Sequence, residues 1–369
     1  MKTRLETPAL HRQLMEYDER LGYRFAPSLR VRIPHEGGGY LVKTNRDGFR
    51  SDHAFTLKRN RGQRLLLFGD SYTAGDGVSN GKRYSDILEQ CLEDTEILNF
   101  GLSGSGTDQQ YLVYRQYADM LEYDAVVIGV LVENIRRNTV VYREWSGRSG
   151  GSICVPKPWF ELSSNGELTL NGVPVRPPYE MPQDLNARSA KEAVMRSARR
   201  MINSLGPNFK DWFQRVTRFQ PLPEYNSADD YGWRLMRAIL TKWVAEIRVP
   251  LVIAVIPVYQ YVEETAAYKN VRARFDELAR ASGALVYHVV DDMLPYPREV
   301  RRSFRFRGDC HFTPLGHKVV GEAMAKIVAP LMSNDAARSR RMQSVASSDT
   351  QPGGGEGLSG MNYPIQPQA

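Results

Sequence analysis

Apolar positions in this chain fall into five short, nearly unbroken runs, close to 65–69, 96–100, 125–132, 250–256 and 284–289. Each run has the length of a β-strand, and apolar character at every position rather than every second one predicts strands buried on both faces. Over 83–93 and 107–121 the spacing changes to that of amphipathic helices. Buried strands alternating with helices predict a parallel sheet covered by helices on both sides.

Three stretches interrupt the alternation. Residues 1–60 mix charges with short extended pieces, among them Gly39–Thr44, which ends in the turn sequence Asn45-Arg46-Asp47-Gly48, and are expected to pack on the core as an edge. Residues 135–240 are far too long for an ordinary crossover. The first part of this insertion, Trp159 to Gly172, reads as a β-hairpin about an Asn165-Gly166 turn, and its second part, 186–217, reads as a basic helix with apolar Ala193, Val194, Met201, Ile202 and Leu205. From 333 to 369 the chain turns to Ser, Gly, Gln and Pro, a composition that predicts disorder. The α/β core is therefore expected over 61–134 and 241–332, the insertion forming a cap at its rim. No internal repeat is visible.

Polar constellations stand where the apolar runs stop. Leu65 to Phe68 ends in Gly69-Asp70-Ser71, a turn that lifts a serine hydroxyl to the rim of the sheet. By itself such a tripeptide is an ordinary strand-ending turn. A second site, Gly308-Asp309-Cys310-His311, lies in a Gly/Pro-bounded loop ahead of the last amphipathic segment and supplies the acid and imidazole that a serine nucleophile lacks. The strand at 96–100 ends at Asn99 and runs into a loop holding Gly101, Gly104 and Gly106, and the strand at 125–132 is followed directly by Glu133-Asn134. Carboxyl ends of strands are where open α/β sheets bind ligands.

In order and spacing these four pieces resemble the blocks of the SGNH, or GDSL-type, hydrolase superfamily over roughly residues 65 to 331. Ser71 matches the block I nucleophile, Gly104 the block II glycine, Asn134 the block III asparagine, and Asp309 with His311 the block V pair. The chain departs from the pattern twice: Asn134 is followed by Ile135 rather than Asp, and a single residue separates Asp309 from His311. The short spacing, like the leader over 1–60, resembles members associated with bacterial polysaccharide acyl groups. The resemblance implies a flavodoxin-like three-layer α/β/α fold with five parallel strands and a long insertion. It also implies a serine esterase removing O-acetyl groups from a carbohydrate. An O-acyltransferase passing the acyl group to a sugar hydroxyl, and a non-catalytic glycan-binding relative, are the alternatives.

The roles follow from elementary chemistry. A serine hydroxyl is a weak nucleophile near neutral pH, so His311 is expected to accept its proton, with Asp309 orienting the ring and stabilising its cation. Asp291 and Asp292, just after the strand at 284–289, are the competing candidates for the acid. The oxyanion needs preorganised donors, and the candidates are the backbone N–H groups of Ser71 and Gly104 and the Asn134 amide. Asn134 could instead cap the following helix. His317, at the start of a helix, is expected to be structural, and Cys310 incidental. No metal or cofactor is expected.

Composition narrows the partners. The 369 residues carry a formal net charge of +7 at pH 7, with arginines gathered at 298, 301, 302, 305 and 307. Arg302 and Arg305, beside the catalytic loop, are candidate contacts to an anionic glycan ester. No nucleic-acid motif accompanies them, so nucleic acid is not the expected partner. Three cysteines cannot form a disulfide framework, the first residues lack an apolar signal core, and no run is long enough to span a membrane. A cytoplasmic location is the expectation.

Overall fold

The computed structural model describes residues 13–146, 152–180 and 219–332. Four strands open the chain: β1 (Met15–Asp18), β2 (Gly22–Phe25), β3 (Arg30–Ile33) and β4 (Tyr40–Lys43). The core follows with β5 (Gln63–Gly69), α1 (Ser71–Ala74), α2 (Tyr84–Cys91), β6 (Thr95–Asn99), α3 (Thr107–Tyr117), β7 (Ala125–Leu131) and α4 (Asn134–Arg137). Five insertion strands come next: β8 (Tyr142–Ser146), β9 (Ser152–Pro156), β10 (Trp159–Leu162), β11 (Leu168–Asn171) and β12 (Tyr179–Glu180). The chain returns to the core with α5 (Tyr231–Glu246), β13 (Leu251–Ile256), α6 (Tyr259–Val262), α7 (Lys269–Ser282), β14 (Leu285–His288), α8 (Val290–Met293), α9 (Arg298–Arg302) and α10 (Pro314–Met332).

The central sheet has the order β14-β13-β7-β5-β6, parallel throughout. Numbered along the core, this is the 2-1-3-4-5 order of flavodoxin-like folds. The apolar runs explain themselves in register. Leu66 and Phe68 of β5, Val126, Ile128 and Val130 of β7, and Ile253 and Val255 of β13 belong to one hydrophobic core. Their neighbours Leu65, Leu67, Val127, Leu131, Val252, Ala254 and Ile256 belong to the other. Successive side chains point to opposite faces, so a strand buried twice must be apolar at every position.

Helices α3, α5 and α7 cover the first face, and α2 and α10 the second. Helix α5 begins where the Asp230 carboxylate accepts the N–H of Gly232 and Trp233. It buries Trp233, Met236, Leu240 and Trp243 at helical spacing. The core thus resumes at α5, ahead of the boundary expected at 240.

The leader forms two antiparallel hairpins, β1-β2 and β3-β4. Neither pairs with the central sheet among the described residues, so the leader is not an edge of that sheet. It packs through its apolar side chains instead, and Arg50, almost wholly buried, donates to the carbonyls of Gly75 and Val78 and to Asn80 Oδ1 just after the nucleophile turn. The expected Asn165-Gly166 hairpin is present as β10-β11, with Gly166 at φ +88°. The basic helix expected over 186–217 and the tail from 333 lie outside the described residues.

Candidate active site

Strand β5 ends by design of its last residues. Asp70 leaves the strand conformation and caps α1 by accepting the Tyr72 N–H at 3.0 Å, and Gly75 closes this four-residue helix in the left-handed conformation. Ser71 thereby becomes the first helical residue, whose N–H has no carbonyl to pair with inside the helix. Its Oγ lies 2.8 Å from His311 Nε2. His311 Nδ1 lies 2.5 Å from Asp309 Oδ1, which also accepts the backbone N–H of His311 at 3.1 Å.

The second loop is held against the first. Tyr72 donates its hydroxyl to the Cys310 carbonyl at 2.8 Å, and its ring packs on His311 and Phe312. Phe306 N–H donates to the His311 carbonyl, turning the segment back on itself.

The electrostatics suit an acid, base and nucleophile. Burial favours the neutral form of Asp309, but the hydrogen bonds from His311 and His35 override it and hold this carboxyl well below the usual carboxylate range. Burial lowers the His311 value, yet the Asp309 hydrogen bond and the charges of Asp76, Asp309 and Asp70 leave it raised above that of an ordinary histidine. Asp76 is itself fixed by the Ser103 hydroxyl at 2.6 Å.

The structure separates the competing acids. Asp291 pairs with Arg272, and Asp292 accepts the Tyr287 hydroxyl at 2.8 Å; neither is hydrogen-bonded to His311. His317 is fully buried, accepts the Tyr84 N–H at its Nδ1 and is pushed down to about 3 by burial, which makes it a neutral structural residue, as expected.

Two of the oxyanion candidates have distinctive surroundings. Gly104 sits at φ +78° in the turn closed by Ser105 N–H and the Leu102 carbonyl, a conformation that favours glycine. Asn99 shapes the start of this loop, accepting the Gly101 N–H and donating to the Thr73 carbonyl. Asn134 does not cap α4: it is the first helical residue, Glu133 occupies the cap position, and no side chain caps the helix. Its amide is fully buried with neither the nitrogen nor the oxygen hydrogen-bonded. An orphaned buried amide is costly unless a partner meets it.

The two arginines expected to bind an anion are placed differently. Arg305 donates to the buried Glu263 carboxylate at 2.7 Å and lies over the Tyr259 ring. Its neighbour Arg301 donates to the Val262 carbonyl and to Glu264. The geometry therefore ties Arg305 to the loop after α6, its charge already neutralised, rather than offering it to substrate. Arg302 is half-buried on α9.

Residues that the motif pattern passed over also converge here. Arg137, at the end of α4, donates to Asp70 Oδ2 at 2.7 Å and to the Ser105 carbonyl at 3.1 Å, joining the loops after β5, β6 and β7. Burial pushes the Asp70 carboxyl up, and the Arg137 guanidinium opposes it. From the leader, His35 Nε2 reaches Asp309 Oδ2 at 3.3 Å, while Glu36 accepts the N–H groups of Gly308 and Asp309. Only the glycines at 37–39, marking a tight turn, hinted at that loop.

Asp309, Cys310 and His311 offer three ligand atoms within 4.8 Å of one another. A cation held there would compete with the hydrogen bonds just described. All three cysteines are free, and desolvation with the Asp309 charge pushes the Cys310 thiol up, away from a reactive thiolate.

The chain matches no protein-family model and no curated protein sequence. Among solved structures it is similar to a lipolytic protein of the G-D-S-L family from Veillonella parvula, with 11% identity over 72% of this chain and 98% of that one at a TM-score of 0.39. It is also similar to the lipase/acylhydrolase from Enterococcus faecalis, with 14% identity over 73% and 96% at 0.39. A third is LAE5, an alpha/beta hydrolase from the metagenome of Lake Arreo, with 13% identity over 74% and 97% at 0.41. Among the described residues no helix is long and apolar enough to cross a membrane.

Proposed function

We propose that this chain is a serine esterase of the SGNH type, acting on carboxyl esters through an acyl-enzyme. The observation that carries the reading is the Ser71 Oγ to His311 Nε2 approach of 2.8 Å with Asp309 on the opposite ring nitrogen. His311 accepts the Ser71 proton as Oγ bonds to the ester carbonyl carbon. The carbonyl oxygen becomes an oxyanion received by the N–H groups of Ser71 and Gly104 and the Asn134 amide, each donor being worth roughly 3–4 kcal/mol of barrier. Collapse breaks the bond to the alkoxy oxygen, which leaves as an alcohol with the proton from His311. Water then attacks the acyl carbon, giving its proton to the same nitrogen, and collapse breaks the bond to Ser71 Oγ, which takes that proton back as the carboxylic acid leaves.

The proposed substrate is an O-acetyl ester of a carbohydrate. Its support is the spacing of Asp309 and His311, a single residue apart. The test is turnover of p-nitrophenyl acetate, butyrate and octanoate beside acetylated sugars, by the native chain and by Ser71→Ala. Acetyl esters are expected to be turned over best and Ser71→Ala to be inactive though folded. Undiminished turnover by Ser71→Ala would overturn the mechanism, and a preference for octanoate would overturn the substrate.

A further inference from the structure

We infer that His35 is a positioning residue for the triad, holding the carboxylate oxygen of Asp309 that His311 leaves unused; the inference rests on the triad reading above. Asp309 gives Oδ1 to His311, and a carboxylate bound through one oxygen can still turn about its own side-chain bonds. His35 Nε2 stands 3.3 Å from Oδ2, so two imidazoles grip the two oxygens of one carboxylate. Such a grip fixes the carboxylate plane and with it the direction in which His311 presents Nε2 to Ser71.

The tautomer favours this role. The Gly37 N–H points at His35 Nδ1 at 3.4 Å, which makes Nδ1 the acceptor and puts a ring N–H at Nε2, facing Asp309. The ring itself is held edge-on by Phe306, with centroids 4.4 Å apart, and by Tyr40 at 5.7 Å. Phe306 belongs to the same segment as the catalytic loop, so one ring contact and one hydrogen bond fix His35 against it. Glu36 adds a second clamp: its carboxylate accepts the Gly308 N–H at 2.9 Å and the Asp309 N–H at 3.1 Å, anchoring the backbone that carries the acid.

Two substitutions separate the hydrogen bond from the packing. His35→Phe keeps an aromatic ring against Phe306 and Tyr40 but has no N–H, whereas His35→Gln keeps a terminal N–H and loses the ring. With p-nitrophenyl acetate and the full chain, His35→Phe is expected to lose roughly tenfold to a hundredfold in kcat with little change in KM, as for one hydrogen bond to a charged group. His35→Gln is expected to stay within a few-fold of the native kcat, with thermal melts recorded for both. A Phe variant at native kcat, or a folded Gln variant down tenfold or more, would show that only packing matters and overturn the inference. Should the Phe variant not fold, the Gln variant decides alone: near-native kcat supports the role. Ser71→Ala, run alongside, keeps the readings apart, because activity in that variant refutes the triad itself, whereas an inactive Ser71→Ala with a fully active His35→Phe refutes only the role of His35.

Discussion

The leader and the insertion are both additions to the same α/β core, and they meet it at different loops. The leader, remote in sequence from every catalytic motif, places His35 and Glu36 on the loop that carries Asp309. The insertion starts directly after Asn134 and α4, and its described strands anchor at the start of α3, just past the loop that carries Gly104. There Lys157, just past β9, forms an ion pair with Asp108 at the start of α3, with both side chains wholly buried. Gln109, one residue on, donates to the Leu21 carbonyl of the leader. Adjacency along the chain is thus a poor guide to adjacency at the chemistry. Parallel sheets gather their loops at one end, and any segment long enough to run over that end can reach them.

The sharpest way to break this comparison is at the acid. Asp309→Asn is expected to reduce kcat by about 10⁴, the effect of removing the ion that sets the imidazole tautomer, while Asp291→Asn and Asp292→Asn leave it nearly unchanged. If Asp292→Asn proves the damaging variant in a steady-state assay, the leader is bracing the wrong residue.

Next in size is the insertion anchor. Lys157→Met strands the Asp108 carboxylate in a dry site, and breaking a buried pair from one side costs about 3–5 kcal/mol. Denaturant melts should show that loss, while kcat per folded molecule stays native. A variant of normal stability but reduced kcat would place the insertion anchor in the catalytic apparatus alongside the leader.

The smallest effect concerns pH. His311 must be neutral to accept the serine proton, and its value is raised by Asp309, Asp76 and Asp70. Activity is therefore expected to fall as pH drops through a midpoint above the ordinary histidine value of about 6.5. Asp76→Asn removes one of the raising charges and should move that midpoint down. A kcat/KM profile with an unmoved acid limb would remove Asp76 from the electrostatics of the base.

Much of this arrangement was legible from residues alone, for identifiable reasons. Runs such as Ala125 to Leu131 read as buried strands because both of their faces are covered, and Asn165-Gly166 read as a hairpin because the turn demands a positive φ. Arg305 was misread because its partner, Glu263, lies some forty positions upstream, and charge density in sequence says nothing of charge already neutralised in space. His35 and Arg137 had no periodicity or motif to mark them. Each acts through long-range contacts, which only the folded chain creates.

The pairing of Ser71 with His311 spans 240 positions, and that of His35 with Asp309 spans 274. Polypeptides are made from the N-terminus at roughly 5–20 residues per second, so the nucleophile leaves the ribosome on the order of ten to fifty seconds before its base exists. Throughout that interval the serine is an ordinary alcohol. On the proposed reading, reactivity in this molecule is timed as well as placed: the triad is complete only when the loop carrying Asp309 and His311 has been made and has packed against the turn carrying Ser71.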